Sequence, residues 1–300
     1  MNARLSYYWK KLTGTKDFKE FKRNITCYVN PEKINRMEYY KKRGKYPNLK
    51  NPQTLGEKIQ WLKLNYFPKH KVYTTCADKY AVRQYLEEKG MSEILNDLIG
   101  VYESSSEIDW DSLPDKFVLK GNHGSKYNLI CTDKKSLNID KAKKEVDYWF
   151  SDDYWKKAAE IHYRPIKKKV VCERFIEAAD GGHLTDYQFF CFNGKPEVIL
   201  ITLDEFSVLY STDWKPLDYG NYSVDYILEK PSCYNEMLEY ATKLAKDFPF
   251  VRADFYNDNG KVIFSELTFT PAAGIKYKSI SEEGEKIMGD MLDLSSLMKK

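Results

Sequence analysis

The segment from Arg252 to Thr268 constrains the fold more than any other part of the chain, because it predicts a hairpin with one charged and one apolar face. In its first half, valine, alanine and phenylalanine alternate with arginine, aspartate and tyrosine, which is the period of a half-buried strand. The Asn-Asp-Asn-Gly that follows has the composition of a turn. The sequence therefore predicts two antiparallel strands that carry Arg252 and the carboxylates of Asp254 and Glu266.

The length of the hairpin loop decides which side chains share a face. With three loop residues and a left-handed Gly260, Asp254 would lie opposite Phe264. Glu266, opposite Arg252, would then be a diagonal neighbour of Asp254, roughly 7–8 Å away at the backbone. A two- or four-residue loop would put the two carboxylates on opposite faces. Carboxylates on one face can share Mg²⁺ with substrate phosphate oxygens; an edge hairpin whose charges face water is the alternative.

A second candidate site lies between Phe117 and Asn128. A short apolar strand ends in Lys120 and continues into the loop Gly-Asn-His-Gly-Ser-Lys. Glycine lets the backbone approach a phosphate closely, and successive N–H groups in such a turn can bind an anion. The spacing is not that of the Walker motif, and an ordinary β-turn is the alternative. The loop predicts phosphate binding in combination with the carboxylate hairpin downstream.

Together these motifs resemble the ATP-grasp superfamily, and most closely its TupA-like members from bacterial surface-polysaccharide gene clusters. The resemblance extends from about Leu55 to Gly274. It rests on Ala-Asp-Lys-Tyr-Ala-Val-Arg from residue 77, the lysine–glycine loop, Val-Cys-Glu-Arg-Phe-Ile from residue 171, and the hairpin with the Pro-Ala-Ala-Gly that follows it. It implies an α+β ATP-grasp fold that holds a nucleotide between two α+β subdomains.

The resemblance also implies a role for each matched residue. Lys120 and Arg252 are the expected catalytic residues, since Lys120 matches a lysine on the ATP phosphates and Arg252 the arginine at the transferred phosphoryl group. Glu173 matches the acid beside the adenine. The expected nucleotide-binding residues are Lys79, Lys120, Gly121, His123, Gly124, Ser125, Glu173 and Asp186. The expected metal ligands are Asp254, Glu266 and Thr268. For Asp186, a turn-capping role is the alternative.

The chain departs from the family pattern at two positions. Thr268 stands where many ATP-grasp ligases have asparagine, so the third metal ligand becomes a hydroxyl. Lys126 stands where a further glycine is common in the phosphate loop.

The resemblance implies an ATP-dependent carboxylate–amine ligase that acts through an acyl phosphate, with ATP and Mg²⁺ as cofactors. In capsular or other surface-polysaccharide biosynthesis, the carboxylate would belong to a sugar or glycan and the amine to an amino acid. A glycosyltransferase is the alternative enzyme, because Asp109-Trp-Asp111 has the Asp-x-Asp pattern of a metal–diphosphate site. A non-catalytic ATP-grasp-like module that binds nucleotide or glycan is the non-enzymatic alternative.

Charge is unevenly distributed along the chain. Residues 1–50 contain 14 Lys/Arg and 4 Asp/Glu, a net charge of +10, whereas the remaining residues contain 34 and 40, a net charge of −6. Such a basic segment interleaved with aromatic residues can bind an anionic membrane surface or a glycan. The alternative is a helical face that packs by its aromatic residues. No nucleic-acid partner is expected.

With 42% hydrophobic and 31% charged residues, the chain has the composition of a globular protein. We expect a basic helical region with an N-terminal subdomain (1–100), a central ATP-grasp subdomain with the phosphate loop (101–172) and a C-terminal one with the metal hairpin (173–300). No apolar run approaches the ~20 residues of a membrane span, and residues 1–11 lack the apolar core of a signal peptide. We therefore expect a cytoplasmic protein, with peripheral association at the inner membrane face as the alternative. Six scattered cysteines without a Cys-x-x-Cys pair argue against a zinc site or disulfides.

Local patterns predict the remaining elements. The expected helices are 57–64, 78–89, 139–150, 153–159 and 235–246. The expected strands outside the carboxylate hairpin are 117–120, 129–132, 170–175, 186–192 and 198–202, with a turn at 193–194.

Overall fold

The computed structural model describes residues 16–178, 184–203, 206–223 and 227–299. The strands are β1 (Leu98–Tyr102), β2 (Phe117–Gly121), β3 (Asn128–Cys131), β4 (Val170–Arg174), β5 (Asp186–Phe192), β6 (Lys195–Leu203), β7 (Phe206–Ser211), β8 (Phe250–Asp258) and β9 (Lys261–Thr268). The helices are α1 (Lys16–Val29), α2 (Pro31–Arg43), α3 (Leu55–Asn65), α4 (Lys71–Ala77), α5 (Ala81–Glu88), α6 (Ile139–Ser151), α7 (Tyr234–Ala245), α8 (Glu282–Met291) and α9 (Ser295–Met298).

The first sheet has the strand order β1-β4-β2-β3, and all its pairs are antiparallel. Phe117 and Leu119 of β2 point into a core that includes Val146 and Trp149 of α6. Because side chains alternate along a strand, Lys120 points to the opposite face of the sheet. The predicted hairpin around the phosphate loop is confirmed, with Lys120 directly opposite Asn128.

The second sheet has the order β7-β6-β5-β8-β9 and is also antiparallel. Its central strands β5 and β8 are rich in buried aromatic residues such as Phe189 and Phe250, and α7 packs against them. The predicted turn at 193–194 is confirmed, because Asn193 and Gly194 both have positive φ and join β5 to β6. The two sheets and their helices form an α+β protein, as expected.

The β8–β9 hairpin reaches its register by a different route from the one predicted. Its loop has two residues, Asn259 and Gly260, both with positive φ, as in a type I′ turn. Such a loop alone would place Asp254 and Glu266 on opposite faces. A β-bulge at Ser265 adds one residue to β9, so that Asp254 pairs directly with Glu266 instead of lying diagonal to it.

One further prediction of local structure is wrong, and another is confirmed except for where the helix begins. The helix expected over 153–159 is a short 3₁₀ turn, Tyr154–Lys156, and Ala159 has a left-handed φ of 54° that no α-helix contains. The helix expected from residue 78 begins at Ala81, because the Asp78 carboxylate accepts hydrogen bonds from the N–H groups of Tyr80 (2.8 Å) and Ala81 (3.2 Å). Strands β1 and β7 were not predicted.

The first sheet extends beyond both predicted subdomain boundaries. It runs from Leu98 to Arg174, whereas the boundaries were expected at 100/101 and 172/173. The division of the chain into three parts stays a prediction.

Helix α2 packs against the rest of the protein rather than projecting from it. Its residues Asn35 and Tyr39 are buried, and Asn35 donates a hydrogen bond to Gln60 of α3. Arg43 forms a buried ion pair with Glu285 of α8. For this helix the structure favours the packed interpretation of the basic segment. Residues 1–15 of that segment lie outside the described residues.

In the parts of the chain that the structure describes, no helix combines the length and the apolar character needed to cross a membrane.

Replacing Gly274 with alanine should destabilise the protein more than the same change at Gly90. Both glycines have left-handed φ values, 65° and 68°. Backbone strain in each alanine variant should therefore lower the free energy of unfolding by about 1–2 kcal/mol. A Cβ at Gly274 would also lie 2.6 Å from Ile59 Cγ2 and 2.8 Å from Gln60 Nε2, whereas nothing lies within 4 Å of a Cβ at Gly90. Overpacking should lower the free energy of unfolding of Gly274→Ala by a further ~1–3 kcal/mol. Urea unfolding measures both losses, and equal losses would show that strain alone decides them.

Candidate active site

Two adjoining cavities lie between the two sheets. The larger, called here the apolar cavity, has a volume of about 450 Å³ and is lined by residues that include Val118, Ile130, Glu173, Phe175, Ile176 and Leu184. The smaller, called the charged cavity, has a volume of about 140 Å³ and is lined by residues that include Lys79, Ser125, Lys126, Arg252, Asp254 and Glu266. The residues that line both cavities are Lys120, Asn128, Asp186 and Tyr256. The two cavities therefore adjoin at these residues, and together they are called the cleft.

The β8–β9 hairpin contributes a dense group of charges to the charged cavity. Arg252 donates two hydrogen bonds to Asp254, from Nε to Oδ1 at 2.8 Å and from Nη2 to Oδ2 at 2.5 Å. The same Nη2 lies 3.4 Å from Glu266 Oε1. Thr268 Oγ1 donates to Glu266 Oε1 at 2.9 Å and lies 3.2 Å from Arg252 Nη2, from which it accepts. The hairpin thus brings Arg252 and all three predicted metal ligands together on one face.

Burial and mutual repulsion make the carboxyl groups of this cavity unequal. The pKa of Asp254 is raised to about 7, chiefly by burial and also by the negative charges of Glu266 and Asp186, against the attraction of Arg252. Burial likewise raises the pKa of Asp186 to about 6. Although burial also opposes ionisation of Glu266, the positive charges of Lys79 and Arg252 lower the pKa of that carboxyl to about 2.

This donor set fits a magnesium ion. Carboxylate oxygens are the ligands that Mg²⁺ prefers, and a divalent cation would relieve the repulsion that raises the pKa of Asp254. Across the described ranges, no group of three or more His, Cys, Asp or Glu side chains is arranged to hold a metal. Mg²⁺ held by Asp254 and Glu266 would therefore complete its shell with water and phosphate oxygens.

Two of the lysines that line this cleft have an acidic partner. Lys79 Nζ lies 2.8 Å from Glu266 Oε2 and donates to the Gly124 carbonyl at 3.2 Å, so it connects the phosphate loop to β9. Lys120 Nζ lies 2.8 Å from Glu173 Oε2 on the neighbouring strand β4. The structure thus brings Lys79, Lys120 and Glu173 into the predicted site.

Asn122 positions the phosphate loop, and sequence reasoning missed it. Its side chain is fully buried, donates to Asp78 Oδ1 (2.8 Å) and to the Lys167 carbonyl (2.9 Å), and accepts from the Lys169 N–H (2.7 Å). Its own carbonyl accepts from the N–H of Lys79 at 3.3 Å. Asn122 therefore joins the loop to the turn that carries Lys79. The only sequence signal was an amide between the loop glycines.

The structure shows a packing role for the loop glycines, while their role at a phosphate stays a prediction. Gly121 and Gly124 do not have positive φ. A Cβ at Gly124 would lie 2.5 Å from Tyr154 Cγ and 2.8 Å from Tyr127 Cε2, and one at Gly121 would lie 2.8 Å from Tyr127 Cβ. The glycines therefore let two tyrosine rings pack against the loop. The left-handed residue of the loop is Lys126, with φ 68°.

The prediction of His123 as a nucleotide-binding side chain needs correction. The imidazole is buried, lies 3.0 Å from the Trp149 carbonyl through Nε2 and packs against the Tyr127 ring. Burial lowers the pKa of His123 to about 4, so the ring is neutral at pH 7. His123 belongs to the core beneath the loop, whereas Ser125 lines the charged cavity as predicted.

The Asp-x-Asp segment lies apart from the cleft. Asp109 and Asp111 are exposed in a turn in which Ser112 Oγ donates to the Asp109 carbonyl at 2.9 Å, and Trp110 between them is buried. Neither aspartate lines the apolar or the charged cavity. The structure gives the glycosyltransferase alternative no diphosphate site at this segment.

Divalent-cation binding should weaken as the pH falls below about 7. Asp254, one of the two carboxylates expected to hold the metal, has a pKa raised to about 7, so below this value it holds a proton that a cation must displace. We expect the Kd of Mn²⁺, measured by electron paramagnetic resonance with saturating ADP, to rise about tenfold per pH unit below about pH 7 and to level off above it. Titrating ADP alone corrects for the nucleotide phosphate. The same Kd at about pH 6 and about pH 8 would contradict the assignment.

The sequence from residue 57 to residue 293 matches the family described as TupA-like ATPgrasp. No curated protein sequence is significantly similar to this chain.

The solved structures that match this chain include several ligases. D-alanine–D-alanine ligase from Bacillus anthracis, complexed with ATP, is 18% identical with a TM-score of 0.44; the match covers 74% of this chain and 65% of that one. D-alanine–D-alanine ligase from Helicobacter pylori is 14% identical with a TM-score of 0.41, covering 75% and 58%. L-amino acid ligase from Bacillus licheniformis is 14% identical with a TM-score of 0.40, covering 67% and 44%. The chain thus spans less than two thirds of the length of each of these ligases.

The motifs quoted from the sequence predicted this family, and the family match confirms the prediction together with the α+β ATP-grasp fold. Because the match covers most of the chain, the protein belongs to the TupA-like ATP-grasp family.

Proposed function

We propose that the protein is an ATP-dependent carboxylate–amine ligase that activates a carboxylate as an acyl phosphate. The observation that carries this proposal is the cleft, in which the apolar cavity adjoins a charged one that is lined by residues of both the phosphate loop and the carboxylate hairpin. The larger cavity combines an apolar wall with polar side chains such as Asn128 and Glu173, which suits a nucleobase and ribose. A pocket lined by lysines, an arginine and carboxylates suits a triphosphate with its metal.

Each charged group would have a distinct task when ATP is bound. Lys79 and Lys120, which pair with Glu266 and Glu173 in this structure, would bind phosphate oxygens. Asp254 and Glu266 would hold Mg²⁺, which supplies charge neutralisation at the phosphates. Glu173, at the boundary of the apolar cavity, would accept a hydrogen bond from the base or its amino group.

The reaction would proceed in two displacements. A substrate carboxylate oxygen attacks the γ-phosphorus, the bond to the β-phosphate oxygen breaks, and ADP leaves. An amine then attacks the acyl carbon, the carbon–oxygen bond to phosphate breaks, and an amide and phosphate form. Arg252 is held by Asp254 and Thr268 on the hairpin face, where its guanidinium would stabilise the charge on the transferred group.

A third cavity offers room for the acceptor. This aromatic cavity has a volume of about 450 Å³ and is lined by residues that include Tyr127, Tyr148, Trp149, Tyr154, Lys157 and Glu160. Aromatic rings suit the apolar face of a sugar, and a lysine suits its carboxylate. These features support a uronic acid or another sugar carboxylate as substrate, with an amino acid or other amine as co-substrate, in cytoplasmic steps of surface-polysaccharide biosynthesis.

ATP with Mg²⁺ should stabilise the protein against unfolding, whereas uridine diphosphate sugars should not. A ligand present at 100 times its Kd adds ~2.7 kcal/mol to the free energy of unfolding.

Lys120→Ala should keep the fold but lose roughly 1.5–3 kcal/mol of ATP-binding free energy, because it removes a charged contact to phosphate. Thermal shift and calorimetry measure both effects. Stabilisation by the sugar nucleotides and not by ATP would instead support the glycosyltransferase.

Asp254 and Glu266 should act as one unit in turnover. Asp254→Asn or Glu266→Gln should each abolish carboxylate-dependent ADP release, and the double variant should be little worse, since one carboxylate cannot position the metal alone. Thr268→Val should reduce the rate less than either. The assay is ADP release with panels of uronates and amino acids. Undiminished carboxylate-dependent release by Asp254→Asn would refute the assigned site, while no ADP release by the wild type with any pair would favour the binding module.

A further inference from the structure

Shared lining residues give the three cavities an order. Lys120 and Asp186 line both the apolar and the charged cavity. Ser125 and Lys126 line both the charged and the aromatic cavity. The charged cavity therefore lies between the other two, with Lys126 at its border with the aromatic cavity.

We infer that Lys126 binds the terminal phosphoryl group of the nucleotide and makes the site select ATP over ADP. This inference rests on the proposed function, in which the nucleoside occupies the apolar cavity. The phosphate chain then runs from the Lys120 end of the charged cavity toward the Lys126 end. The group nearest Lys126 is the γ-phosphoryl group, which ADP lacks.

The ion pairs of the cleft support this assignment. Lys79 pairs with Glu266 at 2.8 Å, Lys120 with Glu173 at 2.8 Å, and Arg252 with Asp254 at 2.5 Å. Lys126 also lines the charged cavity, but within the described ranges its ammonium group has no ion-pair or hydrogen-bond partner. Lys126 can therefore bind a phosphate without giving up an existing partner, which favours it as a direct phosphate ligand.

The backbone at Lys126 is a second, independent observation. Its φ of 68° lies in the left-handed region, which glycine adopts freely and other residues only with strain. Such strain at a ligand-binding loop is a feature of functional positions. The left-handed turn also directs the lysine to the border of two cavities, whereas a glycine would leave that border without a cation.

The effect on nucleotide choice should be large. A charge-assisted hydrogen bond to phosphate corresponds to a roughly ten- to hundredfold change in affinity. If Lys126 contacts only the γ-phosphoryl group, its removal should weaken the binding of ATP by this factor and leave the affinity for ADP unchanged. If it contacted the α- or β-phosphate, both nucleotides would lose equally.

The test compares the Kd values of ATP–Mg²⁺ and ADP–Mg²⁺, measured by isothermal titration calorimetry, in four variants of the full chain. Lys126→Gln and Lys126→Gly should weaken ATP roughly ten- to hundredfold and ADP by less than about threefold. Lys126→Arg, which keeps the charge, should retain the preference for ATP. Lys144→Gln, on the exposed face of α6, removes the same charge outside the cavities and should change neither Kd. Lys126→Gly should unfold at the same or a higher temperature than the wild type, because glycine accepts the left-handed φ.

Each outcome decides the inference. Equal losses for ATP and ADP, or unchanged affinities in Lys126→Gln, would overturn it while leaving the proposed function standing. Loss of the ATP preference in Lys126→Arg would also overturn it, because the charge is then not what selects ATP. A wild-type protein that binds neither nucleotide would remove the proposed function and this inference together.

Discussion

Compensation of buried charge is the constraint on which the site depends. Glu266 is held by Lys79, Glu173 by Lys120 and Asp254 by Arg252, at distances of 2.5–2.8 Å. Asp254 and Glu173 are buried, and a buried carboxylate that loses its cationic partner is destabilised most, whereas Glu266 is half-buried and would be destabilised less. Phosphate bound without a cation would leave the carboxylates unpaired, and a cation bound without phosphate would leave the lysines unpaired. Nucleotide and metal should therefore bind together. The carboxylates would then gain the metal as they lose their lysine and arginine partners, and these cations would gain the phosphates.

The β-bulge at Ser265 puts Asp254 and Glu266 on the same face of the hairpin, where both can contact a metal and the cations that now pair with them. The two-residue turn fixes the register of the first residues of the hairpin, with Phe255 opposite Phe264. Without the bulge, that register would send Glu266 to the face opposite Asp254, away from Lys79. One extra residue in β9 restores the common face of Asp254 and Glu266, and Ser265 itself lines the charged cavity. A bulge beside a candidate site is typical of places where a strand must redirect a side chain.

The sequence predicted the parts of the fold that have a period or a local signal. The alternation of apolar and polar residues identified β8, and the turns that contain glycine identified the hairpins. Both patterns are formed by residues that are close in sequence. The bulge was missed because nothing in the sequence of β9 separates Ser265 from an ordinary strand residue. Asn122 was missed because its partners, Asp78 and the backbone near Lys169, are distant in sequence. The buried position of His123 likewise depends on α6, which packs beneath the loop.

The two departures from the family pattern affect two different contributions to charge neutralisation in the proposed site. Thr268 lies beside the proposed metal position, and Lys126 lies where phosphate would bind. Thr268 uses its only proton on Glu266 and one lone pair on Arg252, so it chiefly orients the two groups beside the metal position. One lone pair remains for a metal or its water. Lys126 adds a positive charge at the far end of the same cavity. In the proposed site a hydroxyl at position 268 would replace an amide carbonyl, which is also neutral but is a stronger ligand for a hard cation, and Lys126 would neutralise phosphate charge directly. We therefore expect the protein to supply more of the charge neutralisation, and the metal less, than where asparagine and glycine occupy these two positions.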